Sequence, residues 1–592
     1  MKRAFAFGDR AIESAVRRVN EIRSVAVIGA GTMGQGIAVD LLRKTDWRIV
    51  LLDVSADALQ RCRRRIDDLL QQDVQRFRLR QEDAQADASR LTFTSAYDDL
   101  GGVDLIWEAA TERGEIKAKI FEAIERVVDP LQIAAVFSNT SSHTTAELAE
   151  LFKSEAMRER FLTVHGYFPF DANRLIDVMK GKYASAETFR FACVLADQIL
   201  EKQVVALSED HHGYLTDPIF QAMAAMISWD AKTSRDIIER GGVWDLFTAN
   251  PFQVLDQTGH MPYTESSRHF GVALPGTDRL RSLYHRDGKY YPDWIALLEH
   301  DGRTGVNSPT RRGFFAWSHA ERPTPTAVLD PASGEYAPVA EISRKDYWSY
   351  YEAAERDRKE GKIKSAQSLV HVASAGDLGG RAFRRYVLPL CLYALDLIQD
   401  RIATPGQINA CSRAGLRFKV GLIELIDALM AGLSIDGLLQ LIRRARDENT
   451  DDPQVVEMLD IDGLCGPRRG RPSLLHELKK RRVGRLLGYG RYYKTPVAEL
   501  DLESGEYRAS YLDLQFYEPS SKDRVASIVF NNPLRGNVFN RAVIDQLGHA
   551  FSRLLKLHRQ GKCGAVLFTA AGGGMRMLGA DAREFNRGWF ER

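Results

Sequence analysis

The pattern of apolar and polar positions predicts an α/β unit near the start of the chain. Val25–Ile28 is a short apolar run suited to a buried strand. Residues 32–44 have helical patterning, and Arg48–Leu52 is a second apolar run of strand length. The preceding residues 1–23 lack a continuous apolar stretch and predict an amphipathic lead-in helix.

A longer helical region follows, and its spacing suggests that it occurs twice. Residues 210–317 are rich in helical patterning, with an FQVLD segment ending at Asp256 and an RGFFAW segment around Phe314. A second stretch offers LIELID ending at Asp427 and an aromatic segment around Tyr492. The separations are 58 and 65 positions (314 − 256 and 492 − 427). This similarity predicts a duplicated helical domain.

Composition narrows the classes of function. The 592 residues include 81 Lys plus Arg and 79 Asp plus Glu, a balance that argues against a nucleic-acid partner. No apolar run reaches about 18 residues, so no membrane span is expected. Six scattered cysteines favour a reducing compartment, and we expect a cytoplasmic protein. The neighbouring His211 and His212 have no third ligand at suitable spacing, so no metal site is predicted.

Glycine spacing gives the first candidate site. Gly29, Gly31 and Gly34 follow the first strand in GxGxxG spacing, and Asp53 ends the second strand. The glycines permit a tight turn, close approach of a pyrophosphate and close helix packing, while the helix N-terminus attracts phosphate. An aspartate at this position favours NAD over NADP. The predicted cofactor-binding residues in this unit are Gly29, Gly31, Thr32, Met33, Gly34 and Asp53.

Three longer stretches carry a family resemblance. GAGTMGQGIA at 29–38, DLIWEAATERGEIKAKIF at 104–121 and SNTSS at 138–142 resemble the 3-hydroxyacyl-CoA dehydrogenases. The resemblance implies NAD as cofactor and an acyl-CoA substrate. It further implies that Ala109, Glu112 and Lys117 line the nicotinamide side of the cofactor site. By the same resemblance, Ser141 would lie near the substrate hydroxyl.

The same resemblance implies a catalytic pair. His165 would take the proton of the 3-hydroxyl while hydride leaves for NAD, and Asp177 would orient the imidazole. Three positions depart from the family: Asp177 replaces Glu, Phe168 replaces Asn, and Asp217 replaces Asn. Phe168 and Asp217 are counted with Ser141 as substrate-binding candidates. The departures leave two readings of His165, a catalytic base or a remnant in an impaired domain.

The last residues resemble another acyl-CoA fold. Residues 524–540 and 564–585 are similar to the opening of a crotonase (enoyl-CoA hydratase) domain. That resemblance implies that the backbone N–H of Ala580 forms half of an oxyanion hole. The family's second oxyanion donor and acidic residues have no counterpart in this sequence, so hydratase activity is not expected from it.

Together these patterns predict an α/β Rossmann NAD-binding domain, duplicated all-α dehydrogenase C-terminal domains and a partial α/β crotonase-like segment. The function implied is NAD-dependent oxidation of L-3-hydroxyacyl-CoA to 3-oxoacyl-CoA, by a monomer through domain duplication or by a homodimer. The alternatives are an impaired NAD/acyl-CoA-binding module and a dehydrogenase for an atypical hydroxyacyl substrate. The predicted segments are a lead-in (1–23), the Rossmann domain (24–208), a helical domain (209–320), a linker (321–370), a second helical domain (371–500), a second linker (501–523) and the crotonase-like segment (524–592).

Overall fold

The structure is a computed structural model. It describes residues 9–77, 79–231, 237–238, 250–276, 278–284, 286, 288–320, 323–339, 365–461, 474–489, 496–500, 507–509, 512–520, 523–530 and 565–570. Ala580 therefore lies outside the described residues. None of the helices within these ranges is long and apolar enough to cross a membrane.

The described helices are α1 (Asp9–Glu21), α2 (Thr32–Lys44), α3 (Ala56–Gln75), α4 (Gln81–Ser89), α5 (Gly114–Val127), α6 (Thr145–Ala149), α7 (Glu155–Arg160), α8 (Ala186–Val194), α9 (Thr216–Ala231), α10 (Pro251–Thr258), α11 (Met261–Ala273), α12 (Asp293–His300), α13 (Ser365–Ser374), α14 (Leu378–Ala382), α15 (Leu388–Gln399), α16 (Pro405–Ala410), α17 (Leu422–Glu448), α18 (Pro453–Met458) and α19 (Leu474–Lys480). Helix α17 bends at Ser434, whose φ is 63°. Short 3₁₀ or π turns occur at Tyr97–Leu100, Leu195–Ile199, Arg279–Tyr284, Phe383–Val387 and Cys411–Gly415.

The described strands are β1 (Ser24–Ile28), β2 (Arg48–Leu52), β3 (Leu91–Thr94), β4 (Leu105–Glu108), β5 (Ala135–Ser138), β6 (Phe161–Gly166), β7 (Leu175–Met179), β8 (Gln203–Leu207), β9 (Phe315–Trp317), β10 (Pro325–Leu329), β11 (Tyr336–Pro338), β12 (Leu487–Tyr489), β13 (Pro496–Leu500), β14 (Tyr507–Ala509), β15 (Leu512–Ser520), β16 (Asp523–Phe530) and β17 (Ala565–Ala570).

The first eight strands form one sheet in the order β3-β2-β1-β4-β5-β6-β7-β8. The strands β1 to β6 are parallel, and β7 runs antiparallel to β6. Every residue of β1, β4 and β5 is buried, as expected for strands with helices on both faces. The chain reverses its direction of strand addition between β1 and β4, and ligands bind at such switch points. The predicted strands Val25–Ile28 and Arg48–Leu52 both lie in this sheet.

The helical region packs on the far edge of the sheet. One apolar core joins Leu175 of β7, Ile219 of α9, Leu392 of α15 and Leu425 of α17. Helices on both sides of residue 340 therefore share a continuous core with the α/β layer, because their apolar faces cover one another.

Two buried aspartates anchor the two parts of this region in the same way. The carboxylate of Asp256 in α10 accepts backbone N–H bonds from Phe314 and Phe315, both at 2.9 Å. The carboxylate of Asp427 in α17 accepts backbone N–H bonds from Leu486 and Leu487, at 2.6 and 2.9 Å. The spacings that the structure pairs are thus 58 and 59 positions (314 − 256 and 486 − 427). Tyr492, which the sequence comparison set opposite Phe314, lies outside the described residues.

Each anchored segment continues into a three-stranded antiparallel sheet. The first sheet has the order β11-β10-β9 and the second the order β12-β13-β14, so the middle strand in sequence is central in both. Leu329 pairs with Tyr336 in one hairpin, and Leu500 pairs with Tyr507 in the other. The predicted linker 321–370 therefore contains strands β10 and β11 and the start of helix α13. Its turn-rich SGEY sequence forms the turn of the β10–β11 hairpin.

The last described strands form a separate three-stranded sheet. Strand β16 pairs antiparallel with β15 and parallel with β17. Strand β15 lies within the predicted linker 501–523, so this sheet begins earlier in the chain than the predicted boundary at residue 524.

Candidate active site

The glycine loop after β1 has the geometry of an anion site. Gly31 caps α2 with a φ of −75° and no side chain bonds the first-turn N–H groups, which include Thr32 and Met33. A Cβ atom on Gly31 would meet nothing within 4 Å, so this backbone is open to a ligand. Unpaired N–H groups at a helix N-terminus favour phosphate.

The other two glycines are required by packing. Gly29 has a φ of +105°, and a Cβ there would lie 2.6 Å from the carbonyl oxygen of Ala109. A Cβ on Gly34 would lie 1.8 Å from the carbonyl oxygen of Gly29. The loop therefore closes against both α2 and the end of β4.

Asp53 lies at the end of β2, beside the glycine loop. Its carboxylate accepts the backbone N–H of Ala30 and that of Ser55, both at 2.8 Å. A carboxylate has about four acceptor positions, so capacity remains for ribose hydroxyls.

Lys117 forms a buried ion pair with Glu108, a residue that the sequence analysis does not single out. Its ammonium group is 1% exposed and lies 2.9 Å from both carboxylate oxygens of Glu108, the last residue of β4. Glu108 also accepts the Ser138 hydroxyl at 2.5 Å and the Ala110 N–H at 2.7 Å. Lys117 thus joins α5 to the sheet in a buried ion pair. Glu108 was missed by sequence reasoning, although a carboxylate ending an apolar strand is a signal for it.

Glu112 organises the loop after β5. It accepts the Thr140 hydroxyl at 2.6 Å, the Ser141 backbone N–H at 2.8 Å and the Ser142 hydroxyl at 3.2 Å. The Ser141 hydroxyl lies 3.3 Å from the same carboxylate. Burial raises the pKa of Glu112, but Lys117 and these hydrogen bonds outweigh it and hold the pKa below its ordinary value. The glutamate is therefore an anion that fixes the position of Ser141.

His165 lies at the end of β6 with a 5% exposed surface. Its ring stacks on that of Tyr214 at 4.9 Å, and its Nε2 lies 3.6 Å from Oδ2 of Asp217. Burial lowers the pKa of His165 to about 4, although the charge of Glu112 opposes this. The imidazole is consequently neutral at pH 7 and has a free lone pair.

Asp217 is the carboxyl group that faces the imidazole. Burial raises its pKa well above the ordinary value, and the charges of Asp177 and Glu112 raise it further. A protonated carboxyl group has one donor and one acceptor, as an amide does. The Asn-to-Asp departure at this position therefore preserves the hydrogen-bonding capacity while the group is neutral.

Asp177 differs from its predicted role. It lies opposite His165 in the β6–β7 register, but its carboxylate accepts the hydroxyl of Tyr167. Among the described residues, His165 Nδ1 has no hydrogen-bond partner. Tyr167 is two positions from His165, on the same face of the chain. Its hydroxyl donates to the Asp177 carboxylate, which was expected to orient the His165 ring. Burial raises the pKa of Asp177 to about 7, against the hydrogen bonds from Tyr167 and the Leu215 backbone.

Phe168 is more exposed than His165 and Asp177, which are both buried. Its side chain is 39% exposed, directly after the Tyr167 position. It presents an apolar surface at a position where the resembled family has an asparagine.

These groups converge because β1, β4, β5 and β6 are parallel and end at one edge of the sheet. A glycine loop at the switch point, a strand-end aspartate beside it and a buried histidine at the same edge of the sheet define the class: an α/β domain of the dinucleotide-binding type. Residues 24–211 match the family model described as "3-hydroxyacyl-CoA dehydrogenase, NAD binding domain". Over these residues the chain is similar to the NAD-binding domain of that family.

Two curated relatives match parts of the chain. The 3-hydroxybutyryl-CoA dehydrogenase of Bradyrhizobium diazoefficiens is 34% identical over 202 residues, 34% of this chain and 66% of that protein. The peroxisomal fatty acid beta-oxidation multifunctional protein AIM1 of Arabidopsis thaliana is 26% identical over 327 residues, 55% of this chain and 41% of that protein. The match thus spans less than two thirds of either relative.

A solved structure extends the likeness in fold. The 3-hydroxybutyryl-CoA dehydrogenase from Escherichia coli K12 aligns with a TM-score of 0.52 at 20% identity. The alignment covers 78% of this chain and 98% of that chain. It therefore shows a shared fold that continues well beyond the NAD-binding domain.

Proposed function

We propose that the protein oxidises an L-3-hydroxyacyl-CoA to the 3-oxoacyl-CoA with NAD. The observation that carries the proposal is the neutral, buried His165 at the end of β6, at the same edge of the sheet as the glycine loop that follows β1. This shared edge supports the role of His165 as the proton acceptor for a substrate bound beside NAD.

The residues present fit NAD. The first-turn N–H groups of α2 would hold the pyrophosphate, Asp53 the ribose hydroxyls, and the backbone around Ala109 the nicotinamide side. NAD, when bound, supplies the hydride acceptor.

The protein's own groups handle the proton. His165 Nε2 accepts the 3-hydroxyl proton, and a positive charge then develops on the ring. Asp217, 3.6 Å away, stabilises that charge when ionised and offers an amide-like donor and acceptor when neutral. Ser141, fixed by Glu112, is placed to bond the substrate hydroxyl.

The test is the formation of NADH from L-3-hydroxybutyryl-CoA and longer homologues, followed by absorbance. We expect turnover with NAD and weaker activity with NADP, because Asp53 repels a 2′-phosphate. Absence of turnover at every chain length, with NAD still bound, would contradict the proposal.

Two alternatives rest on Phe168 and Asp217. A binding module would hold NAD and acyl-CoA without turnover, whereas an atypical hydroxyacyl substrate would use the apolar surface of Phe168. Restoring the family residues in F168N/D177E/D217N separates them. A large gain with hydroxybutyryl-CoA indicates an impaired enzyme, and a screen that finds another hydroxyacyl substrate indicates altered specificity.

We also propose that the helical domain is duplicated and that the chain acts as a monomer. The matched carboxylate anchors at Asp256 and Asp427 and the two equivalent hairpin sheets support the duplication. Arg385 bonds Asp230 at 2.7 and 2.9 Å in a partly buried pair, and Arg279 bonds Asp396 at 2.7 Å in a buried pair, so charge pairs hold the two parts together. A homodimer is the alternative.

Further assignments remain proposals. We propose that the β15–β17 sheet is the start of a crotonase-like segment, supported by its parallel β16–β17 pair, without hydratase activity of its own. We propose a cytoplasmic location, supported by free buried cysteines at 62, 193, 391 and 411.

A further inference from the structure

The fold brings together three histidines and a glutamate that lie far apart in the sequence. His143 and Glu147 lie at the start of α6, His212 follows β8, and His269 lies in α11. The sequence predicts no metal site, because no third ligand is spaced to join His211 and His212. In the structure the two histidines separate: His211 Nδ1 lies 2.6 Å from the Tyr214 carbonyl oxygen, whereas His212 faces His269.

The distances between the ligand atoms suit one small cation. His269 Nε2 lies 3.3 Å from His212 Nδ1 and 3.7 Å from Glu147 Oε2. Glu147 Oε2 lies 3.9 Å from His143 Nδ1 and 4.0 Å from His212 Nδ1. Two ligand atoms on a tetrahedral zinc ion are about 3.3 Å apart. The ligand atoms of His143, Glu147 and His269 all lie within 4.8 Å of one another, so closing the cluster on an ion requires side-chain movements on the order of 1 Å.

Neighbouring groups direct the ligand atoms inward. His143 Nε2 lies 3.1 Å from the backbone carbonyl oxygen of Glu112, so this nitrogen carries the proton and leaves the Nδ1 lone pair facing Glu147. Such an outer hydrogen bond is typical of metal-binding histidines, since it fixes the tautomer. Glu147 Oε2 also caps α6 by accepting the Thr144 N–H at 2.8 Å, and it keeps a lone pair for a further partner.

Charge and chemistry select the kind of ion. The Glu147 carboxylate at the centre of the cluster repels anions such as phosphate. Imidazole nitrogens with one carboxylate suit zinc-type transition ions rather than Ca²⁺ or Mg²⁺, which prefer oxygen ligands.

We propose that His143, Glu147 and His269 bind one divalent transition-metal ion of the zinc type, with His212 beside His269 as a further donor. The ion would tie the α/β layer, through α6, to the helical region, through α11. It would also hold the loop whose Ser141 bonds Glu112. The site is separate from the reacting groups, and its occupancy does not depend on the dehydrogenase proposal.

The test uses the full chain without an affinity tag, in the absence of NAD and substrate. After treatment with a chelator, the protein is dialysed against Zn²⁺ or Co²⁺, and bound metal and the visible absorption of Co²⁺ are measured. We expect one ion per chain, a tetrahedral Co²⁺ spectrum and a higher melting temperature with metal.

Variants assign the ligands. His269→Ala and His143→Ala should each weaken binding by at least about 100-fold, because even outer-shell losses cost 10–100-fold. Glu147→Gln keeps the helix cap but removes the charge, so it tests the site in a chain whose α6 remains capped. His300→Ala, at an exposed position of α12, is the matched control and should bind as the wild type does.

Two results would overturn the proposal. One is a wild-type chain that binds neither ion at stoichiometric concentration. The other is equal affinity in the wild type, His269→Ala and Glu147→Gln. Either result would make the cluster a packed group of neutral histidines.

Discussion

At the scale of single residues, the histidine at the end of β6 decides the chemistry. His165 is neutral because burial penalises its charged form, so its ring has a lone pair that can accept a proton at pH 7. Removing the base with His165→Gln should lower kcat by about 10²- to 10⁴-fold, the usual contribution of a general base. NADH formation measures the loss. The Kd for NAD should stay unchanged, and an equal loss of NAD binding would place His165 in cofactor binding instead.

Asp217 gives a pH-dependent prediction. Its pKa is raised in the folded state, so its stabilising contribution is present below the ordinary pKa of 3.8 and is lost as pH rises through the folded value. The Asp217→Asn side chain does not ionise in this range, so the variant should not lose stability in this way as pH rises. Denaturant unfolding from about pH 5 to about pH 8 should show the wild type losing stability relative to the variant.

The activity of Asp217→Asn provides the companion measurement. Near the acidic end of the range we expect activity within a few-fold of the wild type, because Asn and a neutral Asp offer the same hydrogen bonds. A stability difference that does not change with pH would show that Asp217 has an ordinary pKa.

Two glycines of the loop have different tasks: Gly34 is needed for packing, and Gly31 is expected to be needed for binding NAD. Gly34→Ala places a Cβ 1.8 Å from a backbone oxygen and should lower the melting temperature strongly. Gly31→Ala meets open space and should fold as the wild type does while binding NAD more weakly, since its methyl group faces the phosphate position. Calorimetric NAD titration and thermal unfolding test both. Equal effects of the two variants would contradict this division.

At the scale of elements, buried carboxylates hold the helices to the sheets that follow them. Asp256 accepts two backbone N–H groups, the Trp317 indole at 2.8 Å and the His260 ring at 2.8 Å. Asp427 accepts two backbone N–H groups. Both aspartates therefore fix the path of the chain from a helix into a β-hairpin.

Truncating these anchors should have unequal costs. Asp256→Ala leaves two backbone donors and an indole buried without a partner, at about 1–3 kcal/mol each. Asp427→Ala leaves two donors, so it should destabilise the protein less. Chemical denaturation of the two variants measures the difference, and a larger loss for Asp427→Ala would show that the donor count does not set the cost.

At the scale of the whole molecule, the two helical parts meet through buried arginines. The Arg279 side chain is 1% exposed and bonds Asp396 together with the carbonyl oxygens of Met458 and Asp460, at 2.6 and 2.8 Å. Breaking a buried pair by removing one partner costs about 3–5 kcal/mol. One chain thus joins both helical parts into a single core.

This arrangement predicts a monomer whose two helical parts unfold together. Light scattering should give the mass of one chain, and the wild type should unfold in one transition over this region. Arg279→Ala should separate that transition into two, whereas Arg80→Ala, at an exposed pair on α4, should not. A wild-type mass of two chains would favour the homodimer.

The sequence by itself determined the elements and motifs that depend on neighbours along the chain. Gly29, Gly31 and Gly34 have fixed spacing, and the strand before them is a continuous apolar run, so local geometry already specifies a dinucleotide loop. The His165 position and the repeated anchor motif could also be found, because each is a short sequence feature.

Tertiary structure decided which side chains meet. Lys117 pairs with Glu108, Asp177 with Tyr167, and His165 with Asp217, since parallel strand ends and the first turn of α9 converge at one edge of the sheet. The cluster of His143, Glu147, His212 and His269 joins three segments that are 65 and 57 positions apart (212 − 147 and 269 − 212), which no spacing rule detects. Charged side chains choose partners through distance and burial, and only the folded chain sets those two quantities.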